Sequence, residues 1–335
     1  MQDSMSASTD VTPAGPPVAP QAPVARAIEG RSLGQIAWAH LRRDTVAITG
    51  AVIVVLLILV ALLAPVLTHL LGQNPNTFHT ELLNQNTSLP DGPFGGASWT
   101  HPLGVEPTNG RDILARIIYG ARVSLVIALA ATAVSLVIGV VLGITAGYFG
   151  GWLDTIISRF MDLMLAFPVL LFSIALLTII SGKTSMFGIG GAGLRISVLI
   201  LVIGIFSFAY VGRIIRGQTL SLRNKEFVEA ARSMGARSGY VLVRELLPNL
   251  VAPILVYATL TIPTNILTEA GLSFLGVGVQ PPTASWGQML SDATNYYQID
   301  PMYMVVPGIA IFITVLAFNL FGDGLRDALD PRSQR

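Results

Sequence analysis

Apolar residues are gathered into six long runs, and the polar residues between them are grouped just as sharply. The runs are Val46–Leu67, Val123–Gly147, Leu163–Ile180, Ile196–Gly212, Leu250–Thr268 and Met302–Gly322. The first two carry no charge and exceed 20 residues, enough to cross about 30 Å of hydrocarbon at ~1.5 Å per residue. The third and fourth are shorter and suit helices that are tilted or shielded inside a bundle. The pattern predicts an all-α, polytopic membrane protein with six transmembrane helices.

The polar intervals differ in character. Residues 1–30 are dominated by Pro, Ala, Ser and Thr, and read as a disordered cytoplasmic tail. They do not form a secretory signal, because the first apolar run starts only at Val46 and is 22 residues long. Residues 31–45, around RSLGQIAWAHLRRD, read as an amphipathic interfacial helix with Trp38 at the membrane surface. Thr68–Arg122 is a long extracytoplasmic loop rich in Asn, Gly, Pro and Thr. Leu272–Pro301 contains FLGVGVQPPTASWGQML, whose Gly and paired Pro residues forbid a regular span, so it folds back as a short element. Residues 323–335 read as a cytoplasmic tail. Between the fourth and fifth runs lies KEFVEAARSMGARSGYVLVRELLP, Lys225–Pro248, charged and rich in helix formers. Two short helices fit it, Glu226–Met234 and Ser238–Leu247, joined at Gly235 and stopped by Pro248, which lacks a backbone donor. Such a hairpin is either a docking element or an ordinary solvated surface helix capped at Gly235.

Composition agrees with the pattern. Of 335 residues 52% are apolar and only 12% charged, with a mean hydropathy of +0.66, far from the quarter charged of soluble domains. Placing the N-terminus in the cytoplasm puts 15 of the 20 Lys and Arg inside and leaves Arg111, Arg116, Arg122, Lys183 and Arg195 outside. The positive-inside rule favours this orientation, which also puts the 213–249 loop in the cytoplasm. A net charge of +1 gives no nucleic-acid signal, and the absence of cysteine removes disulfides and thiolate chemistry. His40, His69, His79 and His101 are scattered without metal-ligand spacing, so no metal is expected.

No GxxxxGK followed by Ser or Thr, no HExxH, no GxSxG and no facing pair of carboxylates occurs. The sequence therefore carries no catalytic residue and no ATP site of its own. Glu269, at the outer end of the fifth run, is an ionisable residue at membrane depth, with either a pathway or a structural role. Asp154 and Asp162 suit pairing with Arg159 or with arginines of the 213–249 loop, Arg111 and Asp112 suit a local ion pair, and Pro253 and Pro263 suit a kink. Thr132, Ser135, Thr145, Thr259, Thr261, Thr264 and Asn265 offer scattered polar contacts along a wide path, or bond their own helix backbones. A passive channel would need no hairpin. An intramembrane hydrolase would need paired carboxylates within the spans, and they contain none.

Within the hairpin, Glu229-Ala230-Ala231, three residues, Gly235, then Leu247-Pro248 resembles the EAA loop of ABC-type importer permeases; Glu245 departs from the generic pattern, which is apolar there. HPLGVEPTNGRDILARIIYGARVSL (101–125), GGWLDTIISRFMDLMLAFPVLL (150–171), EAGLSFLGVGVQPPTASWGQML (269–290) and NLFGDGLRDALDP (319–331) extend the likeness to roughly residues 32–332. Together they resemble the C-type permease subunit of the dipeptide/oligopeptide/nickel branch. The resemblance implies a type I ABC importer permease fold in a bacterial inner membrane and a heterodimer with a B-type permease. It also implies two ATPase subunits that bind ATP and Mg, and an external substrate-binding protein. Glu226, Glu229, Ala230, Ala231, Met234, Gly235, Leu247 and Pro248 would dock an ATPase. Glu269, Ser273, Thr264, Asn265 and Trp286 would line the path or outer gate. Short peptides are the expected cargo, with nickel or a glutathione-like solute as alternatives. Reporter fusions should read outside at Gln85, Lys183 and Gln288 and inside at Arg237 and Arg335; the reverse at Gln85 and Arg237 would overturn the topology.

Overall fold

A computed structural model describes Trp38 and residues 41–181, 185–186 and 189–329. The predicted tail at 1–30, most of the predicted interfacial helix at 31–45 and residues 330–335 lie outside the described residues. The helices are α1 (Thr45–Leu62), α2 (Ala64–Leu70), α3 (Ile113–Phe149), α4 (Gly151–Ala166), α5 (Val169–Ser181), α6 (Gly191–Leu222) and α7 (Glu226–Ser233). They continue with α8 (Ser238–Tyr240), α9 (Leu247–Phe274), α10 (Trp286–Ala293) and α11 (Pro301–Leu329). Two residue pairs, Ser185–Met186 and Ile189–Gly190, form a minimal antiparallel hairpin before α6. Five helices are long and apolar enough to cross a membrane, and the bent pair α4–α5 makes a sixth crossing if taken as one span.

The third predicted span, Leu163–Ile180, is corrected by that bend. Its two halves meet at 81°, because Pro168 pushes Phe167 out of the helical region to φ −75°, ψ 131°. The stop predicted at Pro248 is also corrected. The chain continues from α8 through a π-helical turn, Val241–Leu246, straight into α9. A proline ring normally collides with the carbonyl four residues back. The wider π turn just ahead of Pro248 moves that carbonyl aside, so the rod persists. Pro253 and Pro263 lie inside the unbroken helix α9.

Element ends are set by local chemistry. Asp44 caps α1 by accepting from the Val46 and Ala47 amides at 2.9 and 3.1 Å. Asp112 caps α3, accepting from Ala115 N at 2.6 Å. Helix α3 therefore begins ten residues before the predicted span, and at 37 residues it is roughly 55 Å long. The predicted extracytoplasmic loop is shortened accordingly, and the predicted C-terminal tail is mostly helical, since α11 runs to Leu329. The loop is compact: a Cβ at Gly110 would lie 2.4 Å from His79 O, and one at Gly104 2.3 Å from Gly95 O, both at positive φ.

The centre of the bundle is the pairing of α3 with α6. Gly139, Gly143 and Gly147 stack along one face of α3, where Cβ atoms would meet Phe208 O at 2.9 Å, Gly212 O at 2.6 Å and Thr219 Cβ at 2.7 Å. Such small-residue spacing lets two backbones approach closely in lipid. Helix α1 packs on α11 in the same manner, Gly50 against Ala317 O and Gly324 against Ala47. Gly143→Leu must part α3 and α6, and should cost about 1–3 kcal/mol. This would show as a lowered melting temperature in detergent, while Val137→Leu, on the exposed face of α3, should leave it unchanged. Equal melting of the two variants would contradict the packing.

Candidate functional site

The residues singled out from the sequence occupy two regions at opposite ends of α9. At one end α7 and the α8–π segment form the hairpin. Val228 and Ala231 of α7 pack onto Val241 and Leu246, all between 0 and 3% exposed, with Tyr148, Leu222 and Phe227 closing the cluster. Gly235 turns the chain at φ +81°, and the amides of Gly235 and Ala236 bond back to Arg232 O and Ala231 O at 2.9 and 3.0 Å. Glu226, Glu229, Ala230, Met234, Gly235 and Pro248 are exposed, and Leu247 is half-buried. Ala231 faces inward, so Ala230 alone of the two alanines offers close approach from outside. A cavity of about 420 Å³ opens beside them, lined by Met234, Arg237, Tyr240 and Glu245 among others.

Arginines of the hairpin and of the adjoining end of α6 hold this region to α3 and α4. The Arg232 guanidinium sits 4.8 Å from the Tyr148 ring centre. Arg223 Nη1 donates to Gly147 O at 3.1 Å. Arg216 grips Asp154 with two bonds, its Nη2 donating to Oδ2 at 2.7 Å and its Nε to Oδ1. Arg213 donates to Asp162, which Arg159 approaches at 3.7 Å. The expected pairings of Asp154 and Asp162 are thus present, with both α6 partners on the last turns of a helix rather than in a loop. Tyr148 and Arg223 were invisible to sequence reasoning, because neither belongs to a spaced motif.

At the other end of α9, Glu269 is 0% exposed. Its Oε2 accepts from Ser124 Oγ of α3 at 2.9 Å and its Oε1 from Ser273 Oγ at 2.8 Å. Ser273 Oγ in turn accepts from Val279 N at 3.0 Å. Trp286, at the start of α10, lies with its amide 3.4 Å from Ser124 Oγ and donates through Nε1 to Ile117 O at 3.1 Å. Glu269, Ser273 and Trp286 therefore meet in one cluster that seats the fold-back helix α10 between α3 and α9. Asn265 belongs to a second layer: its Nδ2 donates to Thr132 Oγ1 at 2.8 Å, and its Oδ1 accepts from Ser207 Oγ at 2.9 Å. Thr264 is exposed, and its hydroxyl donates to Leu260 O at 3.5 Å. Thr132, Ser135, Thr145, Thr259 and Thr261 donate their hydroxyls to carbonyls of their own helices.

Beyond α10, the 72–112 segment adds a charged layer. Glu106, 1% exposed, accepts from Arg111 Nε and from Tyr303 OH at 3.1 Å. Arg116 Nε stands 3.1 Å from Glu106 Oε2 as a charge contact without hydrogen-bond geometry. The expected Arg111–Asp112 pair is corrected: Arg111 turns to Glu106, while Asp112 caps α3 and binds His101 Nδ1 at 2.8 Å. Among the described residues no group of three or more His, Asp or Glu side chains could hold a metal ion.

The structure is thus a helical bundle with one polar helical hairpin, close glycine packing between α3 and α6, and a fold-back helix. Residues 139–335 match the binding-protein-dependent transport system inner membrane component family, and residues 32–87 match the N-terminal TM domain of oligopeptide transport permease C. The dipeptide transport system permease protein DppC of Alkalihalophilus pseudofirmus is 39% identical over 296 residues, 88% of this chain and 89% of that one. The glutathione transport system permease protein GsiD of Escherichia coli is 41% identical over 295 residues, with the same coverage. In three dimensions the chain resembles a solved chain of the MetNI methionine ABC transporter, at a TM-score of 0.51 and 20% identity, covering 65% of this chain and 98% of that one. The protein belongs to the binding-protein-dependent inner-membrane permease family. It is a multi-pass inner-membrane subunit that works in a complex with other ABC transporter subunits and is not itself the enzyme. Glu269→Ala would strand the Ser124 and Ser273 hydroxyls without their acceptor, at about 1–3 kcal/mol. Glu269→Gln, which keeps an acceptor oxygen, should cost less, and wild-type melting in both variants would remove the cluster's structural role.

Proposed function

We propose that this chain is half of the translocation path of an ATP-driven importer for short peptides. Its partners would be a B-type permease, two ATPase subunits that hold ATP and Mg, and an external binding protein that delivers the cargo. Both termini and the hairpin lie in the cytoplasm on this reading, as the 15-to-5 distribution of basic residues favours. No cofactor is assigned to this chain.

The observation that carries the docking role is the hairpin's division of labour. Its inner face, Val228, Ala231, Val241 and Leu246, is sealed against the bundle. Its outer face presents Glu226, Glu229, Ala230 and an 82% exposed Met234 at the edge of a cavity. Acidic side chains in a helix's first turn are favoured by the dipole and remain free to accept from a partner. An ATPase seated there would act on the bundle through Arg232–Tyr148, Arg223–Gly147 and Arg216–Asp154. Glu269, Ser273, Asn265 and Trp286 fit an outer gate better than a cargo-lined wall, since all four are buried.

Peptide cargo is supported by the relative named for dipeptide transport and by the mildly polar character of the spans, which contain neither His nor Cys. A second reading, glutathione, is favoured by the 41% identical relative named for it. Nickel asks for imidazole, thiolate or carboxylate ligands, and draws no support from those spans. Gly235→Trp and Glu229→Lys should weaken ATPase association or uncouple hydrolysis from uptake while the chain still inserts, measured by co-purification and by dipeptide-stimulated ATPase activity. Normal transport and hydrolysis in both variants would refute the docking role. Deletion of the subunit should abolish dipeptide uptake. Loss of nickel or glutathione uptake with dipeptide uptake intact would reassign the cargo.

A further inference from the structure

The end of the molecule opposite the hairpin encloses a polar cavity of about 460 Å³, lined by Phe78, Thr108 and Arg111 on one side and by Asp292, Asn295 and Tyr303 on the other. Its wall carries one basic and one acidic residue, Arg111 and Asp292, and a second arginine, Arg116, stands behind it. Arg111 and Arg116 are 3 and 0% exposed, and both turn to a single carboxylate, Glu106. Arg116 is otherwise satisfied: Nη2 donates to Gln288 Oε1 at 2.8 Å, and Nη1 donates to the carbonyls of Pro75 and Pro282 at 3.3 and 3.4 Å. Glu106 is also occupied, since it accepts from Arg111 and Tyr303 and ion-pairs with Arg116.

Arg111 has capacity left. Beyond the Nε bond to Glu106, its two Nη groups donate to nothing among the described residues, yet they are not sealed from solvent. They open on the cavity that Arg111 lines. The Phe78 ring, 5.9 Å from the guanidinium, backs it on one side. The acid on the wall, Asp292, is engaged by Gln288 Nε2, and burial followed by the nearby charge of Glu106 pushes its carboxyl above the usual range. A guanidinium with free donors over a partly enclosed cavity is a bidentate receptor for a planar oxyanion. A single planar fork of two Nη donors matches the two oxygens of a carboxylate better than the three of a doubly charged phosphate.

We propose that this cavity is a carboxylate receptor anchored by Arg111. The inference rests on the reading above in which residues 72–112 face outward and the cargo is peptide. Two sources could bring a carboxylate to that face: the C-terminus of a free peptide, or an acidic side chain of the docked binding protein.

The test uses the whole transporter in nanodiscs. Without binding protein, saturation-transfer NMR with dialanine should give signals that fall about tenfold, the equivalent of one lost charge-assisted contact, for dialanine amide, which lacks the carboxylate. The same loss is expected in Arg111→Gln and in Asn295→Trp. The second variant fills the cavity from its exposed rim and leaves the Glu106 cluster intact, which keeps the test valid if Arg111→Gln misfolds. If dialanine gives no signal in the wild type, but both variants bind the purified binding protein about tenfold more weakly, the carboxylate belongs to that partner and the receptor stands. Equal signals from dialanine and its amide, or unchanged binding in both assays, would overturn it. ATP-driven dialanine uptake by the same wild-type preparation separates failure of this proposal from failure of the peptide reading.

Discussion

The contact between α3 and α6 sets most of what surrounds it. In lipid no hydrophobic gain draws two helices together, because the tails are as apolar as leucine, so close backbone approach and dispersion must supply the attraction. Gly139, Gly143 and Gly147 permit that approach along three successive turns. With α6 fixed at this distance, Arg216 and Arg223 reach Asp154 and the Gly147 carbonyl at the end of α3. With α3 fixed, its other faces present Ser124 and Thr132 to Glu269 and Asn265 of α9. A single separation between two helices therefore determines the geometry at both ends of the molecule.

Polar groups inside the bundle are arranged in layers that each join three segments. Asn265 ties α9 to α3 and α6. Glu269 ties α9 to α3 and to the chain leading into α10. Glu106 and Arg116 then tie the 72–112 segment to α10 and α11. Burying each of these groups unpaired would cost several kilocalories per mole, so each layer holds only if all its segments are in place. The fold-back helix α10 shares in two of the layers, which explains how eight residues outside any span are held firmly.

Hydropathy made the spans legible because a bilayer imposes length and composition directly on sequence. Local backbone effects were legible only where one residue decides them. Gly235 does so at its positive φ, whereas Pro168 bends the chain and Pro248 does not, and the difference lies in the π turn ahead of Pro248, which no residue type announces. Glu269 stood out as an acid at membrane depth. Its partner Ser124 did not, since a serine in a helix usually bonds its own backbone. The Arg111–Asp112 pairing failed for a related reason. Neighbours in sequence looked complementary, but the cap on α3 and the buried Glu106 offered each residue a better partner.

The layer around Glu106 also imposes a schedule on biosynthesis. Tyr303, which donates to Glu106, lies 197 residues further along, and Tyr296, bonded to Thr108, lies 188 further. At the usual pace of roughly 5–20 residues per second, the ribosome needs about ten to forty seconds to bridge that interval. Throughout that time Glu106, Arg111 and Arg116 have each other and water but not their final lid. The segment 72–112 must therefore wait as a half-assembled patch while the helices between are laid into the bilayer, and it closes only when α11 arrives. Truncation anywhere before α11 removes the Tyr303 hydroxyl and so leaves the Glu106 layer without that donor.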